Sequence, residues 1–326
     1  VLNDISIENF RGFADLKLNG LGRVNLVVGR NNTGKTSLLE AISVIANASS
    51  LKDLPGTFRA NPGGSVGPRF YRWLIRDGAP DSSSAQLSCK ATDGEWRLEL
   101  LRNAGGSPTP SGKVSVWKGE GLQALTLREH LRALRVRAVS VQHRAPEAMV
   151  EAFAEAVRPT EGEAQMESLL RSVDNRVKSI RLDYSQNATP AGPKPAPFIV
   201  VDMGLSERVP LAQAGQGIYR LVVIFSELLG QKPQVCFVDE IENGIHYTVL
   251  PQVWKGIAEV AERLDVQVFA TTHSRECLQA AHEAFSTRPN YDLRVIQLFR
   301  LDDRTDGRVL DRAHIEAAVA GDIEIR

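Results

Sequence analysis

Residues Val24 to Ile45 read VNLVVGRNNTGKTSLLEAISVI, and three patterns follow one another there without a break. Val24 to Val28 is an apolar run of strand length. Gly29-Arg-Asn-Asn-Thr-Gly34-Lys35-Thr36 satisfies the spacing G-x-x-x-x-G-K-[ST]. Leu38, Leu39, Ile42, Ile45 and Ala46 then share one face of a helix of period 3.6. Glycines at the two ends of the loop let backbone N–H groups converge on phosphate oxygens with no Cβ in the way. The helix that opens near Lys35 aims its positive dipole end at the same oxygens. Asn31, Asn32, Thr33, Gly34, Lys35, Thr36 and Ser37 are therefore the expected nucleotide-binding residues. Lys35 is assigned to the β- and γ-phosphates, and Thr36 to Mg²⁺. A strand before the loop and a helix after it argue against a fortuitous glycine turn.

Composition bounds the rest. The 326 residues suffice for one large domain or two ordinary ones. Apolar residues at 43% and charged residues at 24% fit an ordinary globular protein. The 39 basic and 39 acidic residues cancel, so no global field advertises nucleic acid. Arg128, Arg132, Arg135, Arg137 and Arg144 form a local basic run, which reads as a solvated face or a local phosphate contact. Cys89, Cys236 and Cys277 are far apart in sequence and lack the spacing of a disulfide or zinc framework. No apolar run approaches ~18 residues, and no signal-peptide pattern opens the sequence. The expectation is a cytoplasmic protein with reduced thiols and no membrane contact.

The segments before the loop, LNDISIENF and GFADLKLNGLG, read as two strands. Ser50 to Gly67 is rich in Pro, Gly and Ser and reads as loop. Short alternating segments follow at Ala85 to Ala91, Glu95 to Arg102 and Lys113 to Gly119, which predict an antiparallel β layer. Arg135 to His143 reads as a further strand. Pro146 to Arg158 and Glu163 to Lys178 read as helices too short and too irregular for a coiled-coil arm. In the last third, apolar strands alternate with helices: FIVVDMG, GIYRLVVIFSELLG, QVCFVDE, VLPQVWKGIAEVAERL, QVFATTHS and RECLQAAHEAF. That order predicts a mostly parallel sheet buried on both faces. The tail, LRVIQLFRLDD with GRVLDRAHI, reads as a hairpin. The expected fold class is α/β, with residues 1–50 and 198–326 as a core and 51–197 as a β-layer and helical insertion, all in a single domain.

Asp239 and Glu240 end the apolar strand Val235 to Val238. A parallel strand delivers such residues to the carboxyl edge of its sheet, where ligands bind. Beside a phosphate loop, Asp239 is expected to hold Mg²⁺ and Glu240 to polarise an attacking water. His273 ends the next strand and is expected at the γ-phosphate. The expected catalytic set is Lys35, Glu240 and His273.

These motifs together resemble an ABC-type ATPase head of the branch shared by SMC, RecF and the OLD (overcoming lysogenization defect) proteins. IENFRGFADLKLNGLGRVNLVVGRNNTGKTSLLEAI resembles the N-terminal block of that branch, whose N-F-R-x-F segment is here Asn9, Phe10, Arg11 and Phe13. FVDEIENGIH resembles its Walker B strand and D-loop, and TTHS its switch histidine. The resemblance covers about half of the chain and weakens between Leu51 and Pro197. It implies the ABC-ATPase (P-loop NTPase) fold, ATP and Mg²⁺ as cofactors, and Arg11 among the nucleotide-binding residues. LAQAGQGIYRL lies where the family has a signature loop that clasps ATP on a second subunit, although Ala214 replaces the usual serine. Gly215, Gln216 and Gly217 are the expected donors there, and Arg220 serves either that second site or the solvent. Gln142 is the candidate for the family's glutamine near the metal.

The resemblance further implies a homodimer that encloses two ATP molecules. It also implies a stand-alone head that lacks a Toprim nuclease and controls a separately encoded effector, a nuclease of Toprim or other type, in antiphage defence. An ATP-gated scaffold with negligible turnover, and a RecF-like repair factor that binds DNA directly, are the alternatives; contact with nucleic acid, direct or through the partner, stays open.

Overall fold

Val24–Val28 forms a strand whose five residues are all buried, because its sheet is covered on both faces. Alternate side chains feed two cores: Val24, Leu26 and Val28 face one, and Val27 faces the other. A continuous apolar run is the sequence form of such a strand.

The computed structural model describes residues 1–47, 74–76, 84–92, 94–101, 113–118, 121–125, 134–140, 146–184, 196–230, 232–302 and 304–321. The N-terminal part forms β1 (Leu2–Phe10), β2 (Phe13–Leu18), β3 (Val24–Val28) and α1 (Lys35–Ala46). β4 (Ser84–Ala91), β5 (Gly94–Leu101), β6 (Lys113–Lys118), β7 (Gly121–Leu125) and β8 (Val136–Val139) follow. Next come α2 (Pro146–Val157), α3 (Gly162–Val173), β9 (Ser179–Tyr184), β10 (Pro197–Asp202) and β11 (Val209–Pro210). The last third holds α4 (Gln216–Leu229), β12 (Val235–Val238), α5 (Leu250–Leu264), β13 (Gln267–Thr271) and α6 (Arg275–Ser286). β14 (Leu293–Leu301), β15 (Arg304–Leu310) and α7 (Arg312–Ala320) complete it.

The core sheet has the order β15-β14-β3-β13-β12-β8, parallel throughout except for the β14–β15 pair. A second sheet, β2-β1-β4-β5-β6-β7, is wholly antiparallel. Helix α1 lies between the two: Leu38, Leu39 and Ile42 share a core with Ile7, Phe10 and Phe13 on one side and Phe237 and Phe269 on the other. The other face of the core sheet carries the second core, with Phe153, Leu170, Phe225, Trp254 and Phe285. Burying each such side chain contributes ~1.5–3 kcal/mol before conformational entropy is charged against it. A buried amide joins the two sheets: Gln267 accepts from the Leu2 amide at 2.8 Å and donates to the Leu2 and Gly22 carbonyls at 2.8 Å each.

This is the mostly parallel core with an antiparallel layer that the sequence predicts, but several strands change sheets. β1 and β2, expected with the P-loop core, belong to the antiparallel sheet, where β1 pairs with β2 and β4. β8, expected in the insertion, is the edge strand of the parallel core beside β12. β10, expected in the core, instead pairs antiparallel with β9 and β11 in a three-stranded sheet. The helix expected to run to Lys178 ends at Val173, and β9 begins at Ser179. Asp174 ends that helix in an extended conformation and accepts the Arg176 amide through its own carboxylate, a turn that competes with helix continuation. Helix α7 follows the C-terminal hairpin, opened by Asp311 accepting the His314 amide at 3.1 Å. The loop expected from Ser50 to Gly67 lies outside the described residues.

Candidate functional site

β3 delivers the chain to Gly29, where a Cβ would lie 2.6 Å from both the Leu298 carbonyl oxygen and Thr33 Oγ1. Gly34 sits at φ 89° as the residue before α1, with Phe13 Cζ 3.1 Å from where its Cβ would be. The phenylalanine of the N-F-R-x-F segment thus packs under the turn of the loop. α1 starts with no side-chain cap and no acidic residue in its first turn, which leaves its positive end available to an anion. Asn31 and Asn32 are exposed, whereas Thr33, Lys35 and Ser37 are buried.

Lys35 turns back on the loop. Its ammonium donates to the carbonyls of Gly29 at 2.6 Å and Arg30 at 3.0 Å, and lies 3.2 Å from His273 Nδ1. Burial pushes it down from the ordinary 10.5 to about 8, against the pull of Asp239, Glu240 and Glu242. Thr36 Oγ1 donates to Asp239 Oδ2 at 3.2 Å, which joins the loop to the end of β12. Asp239 Oδ1 accepts the Thr271 hydroxyl at 2.6 Å, and the same hydroxyl accepts the Glu240 amide at 2.7 Å. Glu240 itself sits at φ 46°, in the left-handed region that side chains other than glycine rarely occupy. His273 Nε2 is 3.8 Å from Glu240 Oε1, and the His273 amide donates to Glu242 Oε1 at 2.7 Å. Loop, acidic pair and histidine therefore meet at the carboxyl ends of three adjacent parallel strands, β3, β13 and β12.

Gly215, Gln216 and Gly217 stand elsewhere. Gly215 (φ 97°, ψ 150°) opens α4, and a Cβ on Gly217 would lie 3.3 Å from the Gly244 carbonyl oxygen. Their close neighbour is the D-loop, Glu242 to His246, of the same chain, and Gly215, Gln216, Asn243 and Gly244 are all exposed.

Three sets of arginines have partners within the chain. Arg220 turns inward from solvent: it is buried and donates to the carbonyls of Ser140 at 2.6 Å, Asp239 at 2.6 Å and Glu240 at 3.1 Å. Burial holds it below its ordinary range. Arg11, expected at the nucleotide, pairs its Nε with Glu40 Oε2 of α1 at 2.9 Å, and so braces the helix that follows the loop. In the basic run, Arg137 pairs with Glu155 at 3.1 Å and Glu227 at 3.8 Å, while Arg135 donates to the Lys232 carbonyl. Arg128, Arg132, Arg144 and the metal candidate Gln142 lie outside the described residues. Sequence reasoning missed Thr271 and Glu242. The doubled threonine of TTHS and the second acid of DEIE were the available signals.

The donors suit Mg²⁺–ATP. Among the described residues no group of three or more His, Cys, Asp or Glu is arranged to hold a metal alone. A hydroxyl and one carboxylate at 3.2 Å instead suit an ion that keeps waters and takes phosphate oxygens. A buried ammonium whose hydrogen bonds go to backbone carbonyls and an imidazole is likewise suited to an anion. A cavity of about 670 Å³ beside α4, lined by Met149, Ile199, Leu211 and Tyr219, includes none of the loop residues and is mainly apolar; the polar chemistry is at the loop. No helix among the described residues is long and apolar enough to cross a membrane.

Known proteins carry the same pattern. A family model described as "AAA ATPase domain" matches residues 1–93. A second, described as "AAA domain, putative AbiEii toxin, Type IV TA system", matches residues 57–278. An ATP/GTP phosphatase of Helicobacter pylori is 20% identical over 333 residues, covering 86% of this chain and 87% of that protein. A RecF protein of Idiomarina loihiensis is 29% identical over 109 residues, covering 30% of this chain and 26% of that protein. The solved structure of an SMC head bound to the C-winged helix domain of ScpA superposes with a TM-score of 0.62 at 12% identity, over 95% of this chain and 97% of that one. That likeness concerns the fold. The second family model spans more than half of the chain, so the protein belongs to this AAA-domain family, and it has the fold of an SMC head.

Proposed function

We propose that this head hydrolyses ATP with Mg²⁺, closes as a homodimer around two ATP molecules, and thereby controls a separately encoded effector, a nuclease in antiphage defence. The observation that carries the catalytic part is the convergence of Thr36, Asp239, Glu240 and His273 around Lys35. When bound, Mg²⁺–ATP supplies the γ-phosphoryl group and the charge that these residues are arranged to meet. Lys35 exchanges the carbonyls of Gly29 and Arg30 for phosphate oxygens. Thr36 and Asp239 would hold the metal, Glu240 would take the proton of the attacking water, and His273 would orient the outermost phosphate.

The dimer is supported by the exposure of Gly215, Gln216 and Asn243. These are donor-bearing residues with no phosphate loop of their own chain as neighbour, and a second copy supplies one. Nucleotide then selects the closed state, and its loss releases it. A description that names a toxin of a type IV TA system supports a role with a partner in defence. Ala214 at the start of the signature loop favours a second reading, in which the head binds ATP but barely turns it over. Cytoplasmic location is part of the same proposal.

Phosphate release and light scattering test both readings. Wild-type protein with Mg²⁺–ATP is expected to dimerise and release phosphate, and a nucleotide-bound dimer without release would favour the scaffold. A monomer at saturating ATP would overturn the sandwich.

A further inference from the structure

Thr271 ends β13 and is fully buried. Its hydroxyl has one proton and lone pairs to accept with, and both capacities are in use. The proton goes to Asp239 Oδ1 at 2.6 Å, and the oxygen accepts the Glu240 amide at 2.7 Å. Its own carbonyl accepts the Ile241 amide at 3.0 Å. One residue thus holds three consecutive residues, Asp239, Glu240 and Ile241.

Two geometric consequences follow. With Oδ1 held by Thr271, the Asp239 carboxylate presents Oδ2 to Thr36. With its amide held, Glu240 is kept at φ 46°, a conformation that persists only where surroundings enforce it. We propose that Thr271 is a positioning residue of the ATPase centre: its hydroxyl chooses the Asp239 oxygen that faces Thr36 and the metal, and fixes the backbone turn that aims Glu240. The proposal rests on the ATPase reading above. A threonine that served only to pack β13 would be replaced by valine, nearly its equal in shape, without effect on metal or turnover.

Thr271→Val and Thr271→Ser are compared with wild type in three measurements. Expected for valine is a kcat lower by about 10–100-fold, the range for groups that orient metal ligands, with the affinity for metal-free ATP within about threefold, because the loop and Lys35 are untouched. Mn²⁺ affinity of the ATP complex, read by electron paramagnetic resonance, is expected to fall about tenfold or more. In nucleotide-free protein, the Glu240 amide is expected to exchange faster. Serine, which keeps the hydroxyl, is expected to restore all three.

A folded Thr271→Val with wild-type turnover and Mn²⁺ affinity would overturn the assignment, as would Thr271→Ser being as impaired as valine. Wild-type protein that binds no Mn²⁺–ATP would overturn the ATPase reading and this proposal with it, a result separate from either of those.

Discussion

Lys35 Nζ lies 3.2 Å from His273 Nδ1, a contact between residues 238 positions apart. An ammonium has donors only, so Nδ1 is assigned as the acceptor, which leaves Nε2 on the far side of the ring. That nitrogen faces Glu240 Oε1 at 3.8 Å, too far for a hydrogen bond but on the side where the expected base stands. Lys35, expected at the phosphate, and Glu240, expected at the attacking water, thus flank the two nitrogens of one imidazole.

The first prediction concerns protons. Lys35 is held at about 8, below its ordinary 10.5, by burial. Between those values the unfolded chain binds more protons than the folded one, so this group makes the nucleotide-free protein more stable as pH rises from about 8 to 10.5. A triphosphate beside Lys35 reverses the shift. ATP binding at pH 8 is expected to take up as much as about half a proton at this site. Calorimetry in two buffers of different ionisation enthalpy measures the uptake, and Lys35→Met should remove it.

Glu240→Gln keeps the side chain's shape and the backbone amide's hydrogen bond to Thr271 but removes the expected base. Phosphate release is expected to fall by about 10²–10⁴-fold, while ATP affinity stays near wild type. The ATP-bound dimer is expected to accumulate, and gel filtration with multi-angle scattering reads it. Unchanged release would remove Glu240 from the role of base.

Arg220 is expected to matter for stability and turnover together. Replacing it with methionine leaves the carbonyls of Ser140, Asp239 and Glu240 without their shared donor. A loss of about 2–3 kcal/mol in denaturant unfolding is expected. Arg220→Lys should rescue little, because an ammonium lacks the planar fork that reaches three acceptors.

Glu242 tests the link between D-loop and histidine. Its Oε1 accepts the His273 amide at 2.7 Å. Glu242→Gln keeps an oxygen there and is expected to retain most activity. Glu242→Ala removes the acceptor and is expected to lower kcat about tenfold, as for other positioning groups, with little change in ATP affinity. Equal turnover in the two variants would show that the bond to His273 is dispensable.

Much of the phosphate loop was legible because its determinants are local. Glycine spacing, a strand before and a helix after are all read within Val24 to Ile45. The acidic pair and the histidine were legible as strand ends. What was hidden depends on partners distant in sequence. VRAV at β8 is too short to reveal that it completes the parallel sheet beside β12. The apolar FIVV of β10 looks like a core strand, and only its partners, β9 and β11, make it antiparallel. Arg220 sits among apolar neighbours of α4, and its buried role depends on carbonyls from β12 and the residue after β8. Helix α7 was different: Asp311, which caps it, is a local signal that the hairpin reading passed over.

Helix α4 is a rod of ~21 Å, taking 1.5 Å per residue over its 14 residues. Its first turn emerges at the surface at Gln216, and its second plants Arg220 on the peptide groups of Asp239 and Glu240. Surface and acidic pair therefore belong to one stiff body with almost no slack between them. A molecule seated on that exposed end would thus stand about one helical turn from the peptide groups of the acids, with no loop in between.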